Sequence, residues 1–481
     1  MKPLRVAIIG AGMGGIAAAV KLRRLAGVEF VIFEQSAGVG GTWFDNRYPG
    51  CEVDVHSHAY SFSFLKYDWK RTHATQPELL AYAEHVVDHF GLRPHLRLDT
   101  RVTDLVWEES TSTYTLSTSD GESAEFDVVV SALGLLSVPR YPEWPGLETF
   151  AGPCFHTSRW EEHDLAGKNV AVVGTGSTAV QIVPAIAPIA AKVHVFQREP
   201  GWIEPKNERE YSPRERAFFR TVPLAQRLNR AWIFHKGNRR FKGYDVGSRR
   251  QGRMRALCEG FIAGSITDPA TRAAVTPGYP WGCKRPVLSS TFYPALNRDN
   301  VELVPHAVTT VSPYGVVDAT GKARDIDVLI LSTGFQPTKF LASLDVKGRD
   351  GRSIHDVWRE RASAFLGITV PGFPNFFMLY GPNTNGGVSV IAQLERQAEV
   401  MVRAVRRMRR DRRAVDTSPD AARRFVAWVD KRLATSASAM NSGCHNYYHD
   451  PSGHNVTQWP AGHLAYAVAT RVIDRLGLRA R

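Results

Sequence analysis

The first apolar run, Leu4 to Ile9, stops abruptly at Gly10-Ala11-Gly12-Met13-Gly14-Gly15. Helix-period apolar residues then run from Ile16 to Leu25, and Val28 to Phe33 forms a second run ended by Glu34. Strand, glycine turn, helix and strand in that order make a βαβ unit. The pattern returns far downstream, with a strand at Asn169 to Val173 and a turn at Gly174-Thr175-Gly176-Ser177-Thr178-Ala179. A helix from Val180 to Ala190 and a strand from Val193 to Gln197 complete it. No short-period repeat accompanies them, so these are two separate units and not a solenoid. A proline-rich stretch, Val138 to Gly146, reads as the linker between them. Residues 208–273 are charged and helical in pattern, which predicts an inserted helical subdomain. Strands resume at Val301 to Val304 and Asp327 to Ser332. From about Lys339 the chain returns to the first unit and ends in a helix-rich tail with an aromatic loop at Tyr447 to Trp459.

At 481 residues the chain is too long for one core, and its length suggests about three domains. The balance of 43% apolar and 22% charged residues is that of a globular protein and excludes wholesale disorder. No apolar run approaches the ~18 residues of a membrane span. Five cysteines are scattered without a C-x-x-C pair or His/Cys cluster. That pattern argues against zinc, a thioredoxin-like motif or a disulfide scaffold, and it fits thiols in a reducing cytoplasm. The net charge of +13 owes much to Arg403, Arg406, Arg407, Arg409, Arg410, Arg412 and Arg413. No aromatic or RNA-binding motif accompanies them, so the stretch reads as a solvated helix face and not a nucleic-acid site.

The glycine turns carry the chemistry. Gly10, Gly12 and Gly15 sit between strand and helix, with Met13 at the helix entrance, and Glu34 follows Gly15 by 19 residues. Glycines there permit the tight turn and let backbone approach a pyrophosphate at the helix N-terminus, while the acid accepts from a ribose hydroxyl. The second turn has Gly174, Gly176 and Ala179, and 19 residues past Ala179 stands Arg198, preceded by Gln197 where an acid would repel a 2′-phosphate. Thr175, Ser177 and Thr178 offer hydroxyls for further phosphate contacts. The first site therefore suits FAD and the second NADPH. Two nucleotide sites on one chain imply a flavoprotein reductase or monooxygenase.

Phe150, Gly152, His156 and Trp160 stand in the spacing F-x-G-x-x-x-H-x-x-x-W, and Gly40-Gly41-Thr42-Trp43 leads to Tyr48-Pro49-Gly50-Cys51-Glu52-Val53-Asp54. Both stretches resemble the fingerprints of type I Baeyer–Villiger monooxygenases, a family within the class B flavin monooxygenases. The likeness spans nearly the whole chain. It implies an enzyme that reduces FAD with NADPH, forms a C4a-peroxyflavin with O2 and converts a ketone to an ester or lactone through a tetrahedral peroxy adduct. By the same resemblance Arg285 holds the oxygen anion, Lys284 joins Arg198 on the 2′-phosphate, and Asp54 is the active-site aspartate that orients Arg285. A fixed cation is what such an anion requires, and a carboxylate facing Arg285 is expected to have a lowered pKa. Gly41, Thr42 and Trp43 are expected against the flavin, and His156 in interdomain hydrogen bonding, which outweighs acid–base catalysis. Two departures stand out. Ala132-Leu133-Gly134 replaces the usual A-T-G, and Cys444-His445-Asn446-Tyr447-Tyr448 stands where many relatives carry a tryptophan.

The expected fold is α/β, with two Rossmann-like dinucleotide-binding domains and a helical insertion. The FAD-binding domain takes residues 1–145 and 339–481, the NADP-binding domain 146–207 and 284–338, and the insertion 208–283. The runner-up function is a flavin monooxygenase that oxygenates nitrogen or sulfur, and a reductase or redox sensor without oxygenation stands further back. No metal, nucleic-acid partner or membrane span is expected, and the oligomeric state is left open.

Overall fold

The computed structural model of the chain describes residues 2–439, 443–472 and 477–480. Among them, ten strands build two parallel five-stranded sheets. In chain order these are β1 (Leu4–Ile9), β2 (Val28–Phe33), β3 (Leu96–Arg97), β4 (Val128–Ser131), β5 (Cys154–His156), β6 (Asn169–Val173), β7 (Lys192–Phe196), β8 (Val301–Val304), β9 (Val328–Leu331) and β10 (Phe376–Met378). The first sheet runs β10-β4-β1-β2-β3 and the second β8-β7-β6-β9-β5, with every neighbour parallel. The strand order reverses beside β1 and beside β6, the first strand of each unit. A ligand crevice lies at that switch point in doubly wound sheets.

The elements follow from the sequence with small shifts. β4 and β9 are buried at every residue, as a parallel sheet covered on both faces requires. Helix α1 (Met13–Leu22) starts three residues before the expected Ile16, because Gly14 and Gly15 join its first turn. It stops at Leu22 rather than Leu25, where the chain turns through Gly27 at φ +69°. Helix α2 (Ala179–Ile186) is likewise shorter than the expected Val180 to Ala190. Each sheet also carries an antiparallel meander just before a central strand. One spans 102–126 ahead of β4, and the other 308–325 ahead of β9.

The two crossings between the sheets lie side by side. Val138 to Arg140 pairs antiparallel with Gly334 to Gln336, through Arg140 N–H to the Gly334 carbonyl and Gln336 N–H to the Val138 carbonyl, both 2.9 Å. The insertion is helical as expected, with α3 (Pro213–Thr221), α4 (Ala225–Phe241) and α5 (Arg249–Ser265) as its main helices. β10 returns the chain to the first sheet, and α6 (Val390–Asp411) covers α1. Arg406, Arg410, Arg412 and Arg413 are exposed, as a solvated face requires, but three arginines of α6 depart from it. Arg403 donates to the Thr470 carbonyl, Arg407 to that of Leu478 and Arg409 to that of Ala26. They tie the tail and the α1–β2 turn together because last-turn carbonyls and loop carbonyls need donors. Among the described residues no helix is long and apolar enough to cross a membrane.

The insertion docks on residues 56–73 of the first unit through buried aromatic and imidazole rings. His58 stacks on Tyr211 at 5.4 Å and meets Phe219 edge-on at 4.5 Å, while Arg230 donates to the carbonyls of His58, Ala59 and Ser61. Burial, reinforced by nearby positive groups, lowers the pKa of His56 and His58 to about 4 and of His73 to about 3. The positive groups are Arg209 and Lys236 for His56, His56 and Arg230 for His58, and Lys206 and His56 for His73. An unfolded imidazole takes its proton near pH ~6.5. Below that pH the unfolded chain binds more protons than the folded one, so stability falls as pH drops toward 4. The melting temperature is therefore expected to decline across this window. A His58→Gln/His73→Gln variant should show a shallower decline, and an unchanged slope would remove these histidines from the linkage.

Candidate functional site

One cavity of about 500 Å³ runs from the first glycine turn across the seam between the sheets. Its floor is the turn after β1. Gly10 holds φ +104°, and a Cβ there would stand 2.7 Å from the Ala132 carbonyl. A Cβ on Gly15 would fall 1.8 Å from the Gly10 carbonyl, so the third glycine serves helix-to-strand packing and lies outside the cavity wall. Gly12 and Met13 line the wall at the start of α1, whose N-terminus has no side-chain cap. Its first amides are left for a ligand. Glu34 is buried and holds the turn by accepting from Ala11 N–H at 2.7 Å and Ser36 N–H at 2.9 Å, with its carboxylate still on the cavity.

Gly41, Thr42 and Trp43 form the next stretch of wall. Gly40 N–H donates to the Ala11 carbonyl, and Gly41 at φ +56° brings its backbone against Gly12. The Trp43 indole donates to the Tyr60 hydroxyl at 3.2 Å. Residues 48–54 then strap the first unit to the second. A Cβ on Gly50 would stand 2.6 Å from the Gln181 carbonyl on α2, which explains a glycine at that place in the fingerprint. Tyr48 Oη donates to Gln181 Oε1 at 3.1 Å, and Gln181 Nε2 donates to the Glu52 carbonyl at 3.0 Å. Lys206, fully buried, pairs with Glu52 at 2.6 Å. Even so, burial holds the Glu52 carboxyl above its usual range.

The strap delivers Asp54 to the seam, facing Arg285. Arg285 Nη2 and Asp54 Oδ2 are 3.5 Å apart. Asp54 Oδ1 is buried and accepts no hydrogen bond from the protein. The pKa of Asp54 is raised, not lowered as expected from its partner. Burial disfavours the carboxylate more than Arg285 and Lys206 together favour it. Arg285 keeps 48% of its side-chain surface open and lines the cavity. Burial opposes its charge, but Asp54 and the phenols of Tyr447, Tyr244 and Tyr380 outweigh that and hold its pKa up. Tyr60, Tyr244, Tyr380 and Tyr447 all reach this wall. They come from four distant segments, so no sequence pattern announces them. Gln181 and Lys206 were missed for the same reason.

The second turn is built like the first but opens outward. Gly174 holds φ +113°, where a Cβ would stand 2.4 Å from the Ser332 carbonyl, whereas nothing lies within 4 Å of a Cβ on the exposed Gly176. Ser177 and Thr178 line the cavity, while Gly174, Thr175 and Gly176 lie outside its wall. Arg198 is exposed at the end of β7, also outside it. Lys284 pairs with Glu199, the neighbour of Arg198. The fingerprint before β6 anchors the crossing. A Cβ on Gly152 would stand 2.1 Å from the Asp327 carbonyl, and His156, fully buried, reaches the Gly334 carbonyl at 2.9 Å and Ser158 Oγ at 2.8 Å. Its pKa is lowered by burial, and it does not line the cavity.

One sequence expectation needs correction. Cys283 and Cys444, read as separate thiols, are joined in a disulfide, with Cα atoms 6.2 Å apart. They are 161 residues apart in sequence, and only the fold brings them together.

The uncapped helix N-terminus, the glycines that exclude any Cβ and the orphaned Asp54 oxygen fit an extended dinucleotide. Two parallel nucleotide-binding sheets sharing one cavity define a flavin- and nicotinamide-dependent oxidoreductase. Residues 4–222 match the family model described as pyridine nucleotide-disulphide oxidoreductase. The chain is 40% identical over 476 residues to a Baeyer–Villiger monooxygenase of Streptomyces coelicolor, covering 98% of this chain and 91% of that one. It matches the structure of an oxidized steroid monooxygenase bound to NADP with a TM-score of 0.89 at 30% identity, covering 99% of each chain. OTEMO in complex with FAD and NADP matches at 0.88 and 27% identity over 100% of both chains. The chain belongs to the Baeyer–Villiger monooxygenase family and is an FAD-containing, NADPH-dependent flavin monooxygenase. The nitrogen- or sulfur-oxygenating alternative is thereby set aside.

The Lys206–Glu52 pair carries a stability prediction. Lys206→Met leaves Glu52 beside Asp54 without its buried cation, and breaking such a pair costs about 3–5 kcal/mol. Chemical denaturation should register this loss. A Lys206→Met/Glu52→Gln variant should recover most of it, and equal stability of all three proteins would make the pair incidental.

Proposed function

We propose that Arg285 is the cation that stabilises the anionic oxygen of the reaction, with Asp54 as its orienting partner. The substrate in this reading is a ketone, which leaves as an ester or lactone. One observation carries it: a guanidinium stands in the shared cavity at the seam, 3.5 Å from a buried carboxylate and surrounded by phenols. FAD and NADPH, when bound, supply hydride delivery and oxygen activation. The chain supplies seating and charge.

The turn at Gly10, Gly12 and Gly15 seats one pyrophosphate and Glu34 its ribose. Gly41, Thr42 and Trp43 close the wall beside the flavin. Gly174, Thr175, Gly176, Ser177 and Thr178 seat the second pyrophosphate, and Arg198 with Lys284 grips the 2′-phosphate. Lys284, paired here with Glu199, would turn to that phosphate. Arg285 stays charged at any working pH, and its planar donors suit an oxygen anion. Asp54 points one oxygen at Arg285 and keeps the other for a ligand. Burial raises the Asp54 pKa, and the charges of Arg285 and Lys206 oppose that rise. In this reading the FAD-binding domain is 1–145 with 339–481, the NADP-binding domain 146–207 with 284–338, and the insertion 208–283. The working compartment is the cytoplasm.

Arg285→Ala should leave flavin reduction by NADPH intact while ester formation falls by about 10²–10³-fold, the usual cost of deleting an oxyanion donor. Hydrogen peroxide should accumulate in its place. Ester yield at the parent level would take Arg285 out of the mechanism. Arg198→Ala should raise KM for NADPH by about 10–100-fold, as expected for a lost charged hydrogen bond, and leave KM for NADH nearly unchanged. Equal effects on both would place the 2′-phosphate elsewhere.

A further inference from the structure

We infer that Cys283 and Cys444 form a reversible thiol–disulfide latch that fastens the Tyr447–Tyr448 loop to the Arg285 segment and controls how readily the substrate side of the cavity opens. The inference rests on the reading of Arg285 given above. Cys283 immediately precedes Lys284-Arg285, and Cys444 lies three residues before Tyr447, so a bond between the two sulfurs joins the cation to the loop opposite it. Tyr447 and Tyr448 line the same cavity as Arg285. The loop also has weaker ties to that segment. Asn446 Nδ2 donates to the Cys283 carbonyl at 3.2 Å, and the Arg285 charge acts on the phenols of Tyr447 and Tyr448. Within the loop, Asn446 Oδ1 accepts from Tyr448 N–H at 3.1 Å. With the disulfide open, noncovalent contacts hold the loop, among them Asn446 Nδ2 to the Cys283 carbonyl and Val456 N–H to the Tyr448 carbonyl at 3.1 Å. Each cysteine also follows a glycine at positive φ, Gly282 at +90° and Gly443 at +80°. Such backbone is suited to swinging the segment once the covalent tie is gone.

The pair is placed for exchange chemistry, and the other thiols are not. Cys283 is fully buried while Cys444 is half-buried, so an incoming thiolate reaches the Cys444 sulfur first. Attack there expels Cys283 as a thiolate, which takes up a proton. The second thiol of a small dithiol then closes on the mixed disulfide and releases Cys444, leaving the dithiol as a cyclic disulfide. In the reverse direction the two thiols give two electrons and two protons to hydrogen peroxide, which becomes two waters. A flavin monooxygenase produces that oxidant itself whenever oxygen is activated and not transferred. Cys51 and Cys258 are buried and burial pushes their pKa up to about 12, and half-buried Cys154, whose pKa burial also raises, has no cysteine partner among the described residues.

The test uses the flavin-loaded enzyme, equilibrated either with excess dithiothreitol or with hydrogen peroxide followed by catalase. Denaturation in iodoacetamide and intact mass should count five alkylated cysteines in the reduced form and three in the oxidised, with peptide mapping joining positions 283 and 444. Ketone-dependent ester formation should differ by about threefold or more in kcat/KM between the two forms, the oxidised being slower, as expected when loop opening gates turnover. Flavin reduction by NADPH without ketone should be the same in both. Cys444→Ser should abolish the redox response. A count of five after peroxide, or a proven disulfide with unchanged ester kinetics, would overturn the latch. The thiol count stands apart from the Arg285→Ala result, so failure of either reading is visible without the other.

Discussion

A carboxylate and a guanidinium that face each other across the seam of two nucleotide-binding sheets set the terms for this site. Asp54 arrives from the first sheet on a strap pinned by Gln181 and Lys206, and Arg285 arrives from the second unit just after the helical insertion. Neither group has a full complement of partners. The 3.5 Å approach is long for a charged hydrogen bond, and Asp54 Oδ1 has no protein donor. Desolvation exceeds the attraction, as the raised Asp54 pKa records. A fold keeps such an unsatisfied pair only when the surrounding contacts overdetermine it. The glycine contacts of Gly50 and the buried Lys206–Glu52 pair do this.

Those glycine contacts also explain why so much of the fold was legible. Gly10, Gly15, Gly50, Gly152 and Gly174 each lie where a Cβ would strike a backbone carbonyl at 2.7 Å or less. A glycine forced by backbone contact appears at fixed spacing whatever the side chains around it do, so both turns and both fingerprints stand out in the sequence. Strands buried on both faces read equally well as unbroken apolar runs. Helix ends read less well, since Gly14 and Gly15 are helical in α1 despite their low propensity, Gly14 packed on Ala132 and Leu394 and Gly15 against the Gly10 carbonyl.

What stayed illegible depends on approaches between distant segments. Tyr60, Tyr244, Tyr380 and Tyr447 gather around Arg285 from four parts of the chain, and Cys283 meets Cys444 across 161 residues. The arginine-rich stretch misled in the opposite direction. Its charge suggested a solvated face, but a guanidinium is also well equipped to satisfy backbone carbonyls, and three of them do so, two at the tail and one at the α1–β2 turn. Composition reports charge and is silent on which carbonyls need donors.

The same short segment, 283–285, carries three different tasks in this reading. Cys283 ties it to the tail loop, Lys284 pairs with Glu199 beside Arg198, and Arg285 faces Asp54. Consecutive Cα atoms are held ~3.8 Å apart, so a backbone displacement at one of the three positions is passed to its neighbours. Side-chain rotation alone lets Lys284 leave Glu199 while the Arg285–Asp54 pair stays in place. In the proposed reading, the residues for nicotinamide recognition and for oxygen chemistry are neighbours in the chain. The second turn is exposed while the first lines the cavity, so in the proposed reading the flavin would lie deeper and the nicotinamide cofactor would meet the residue next to Arg285.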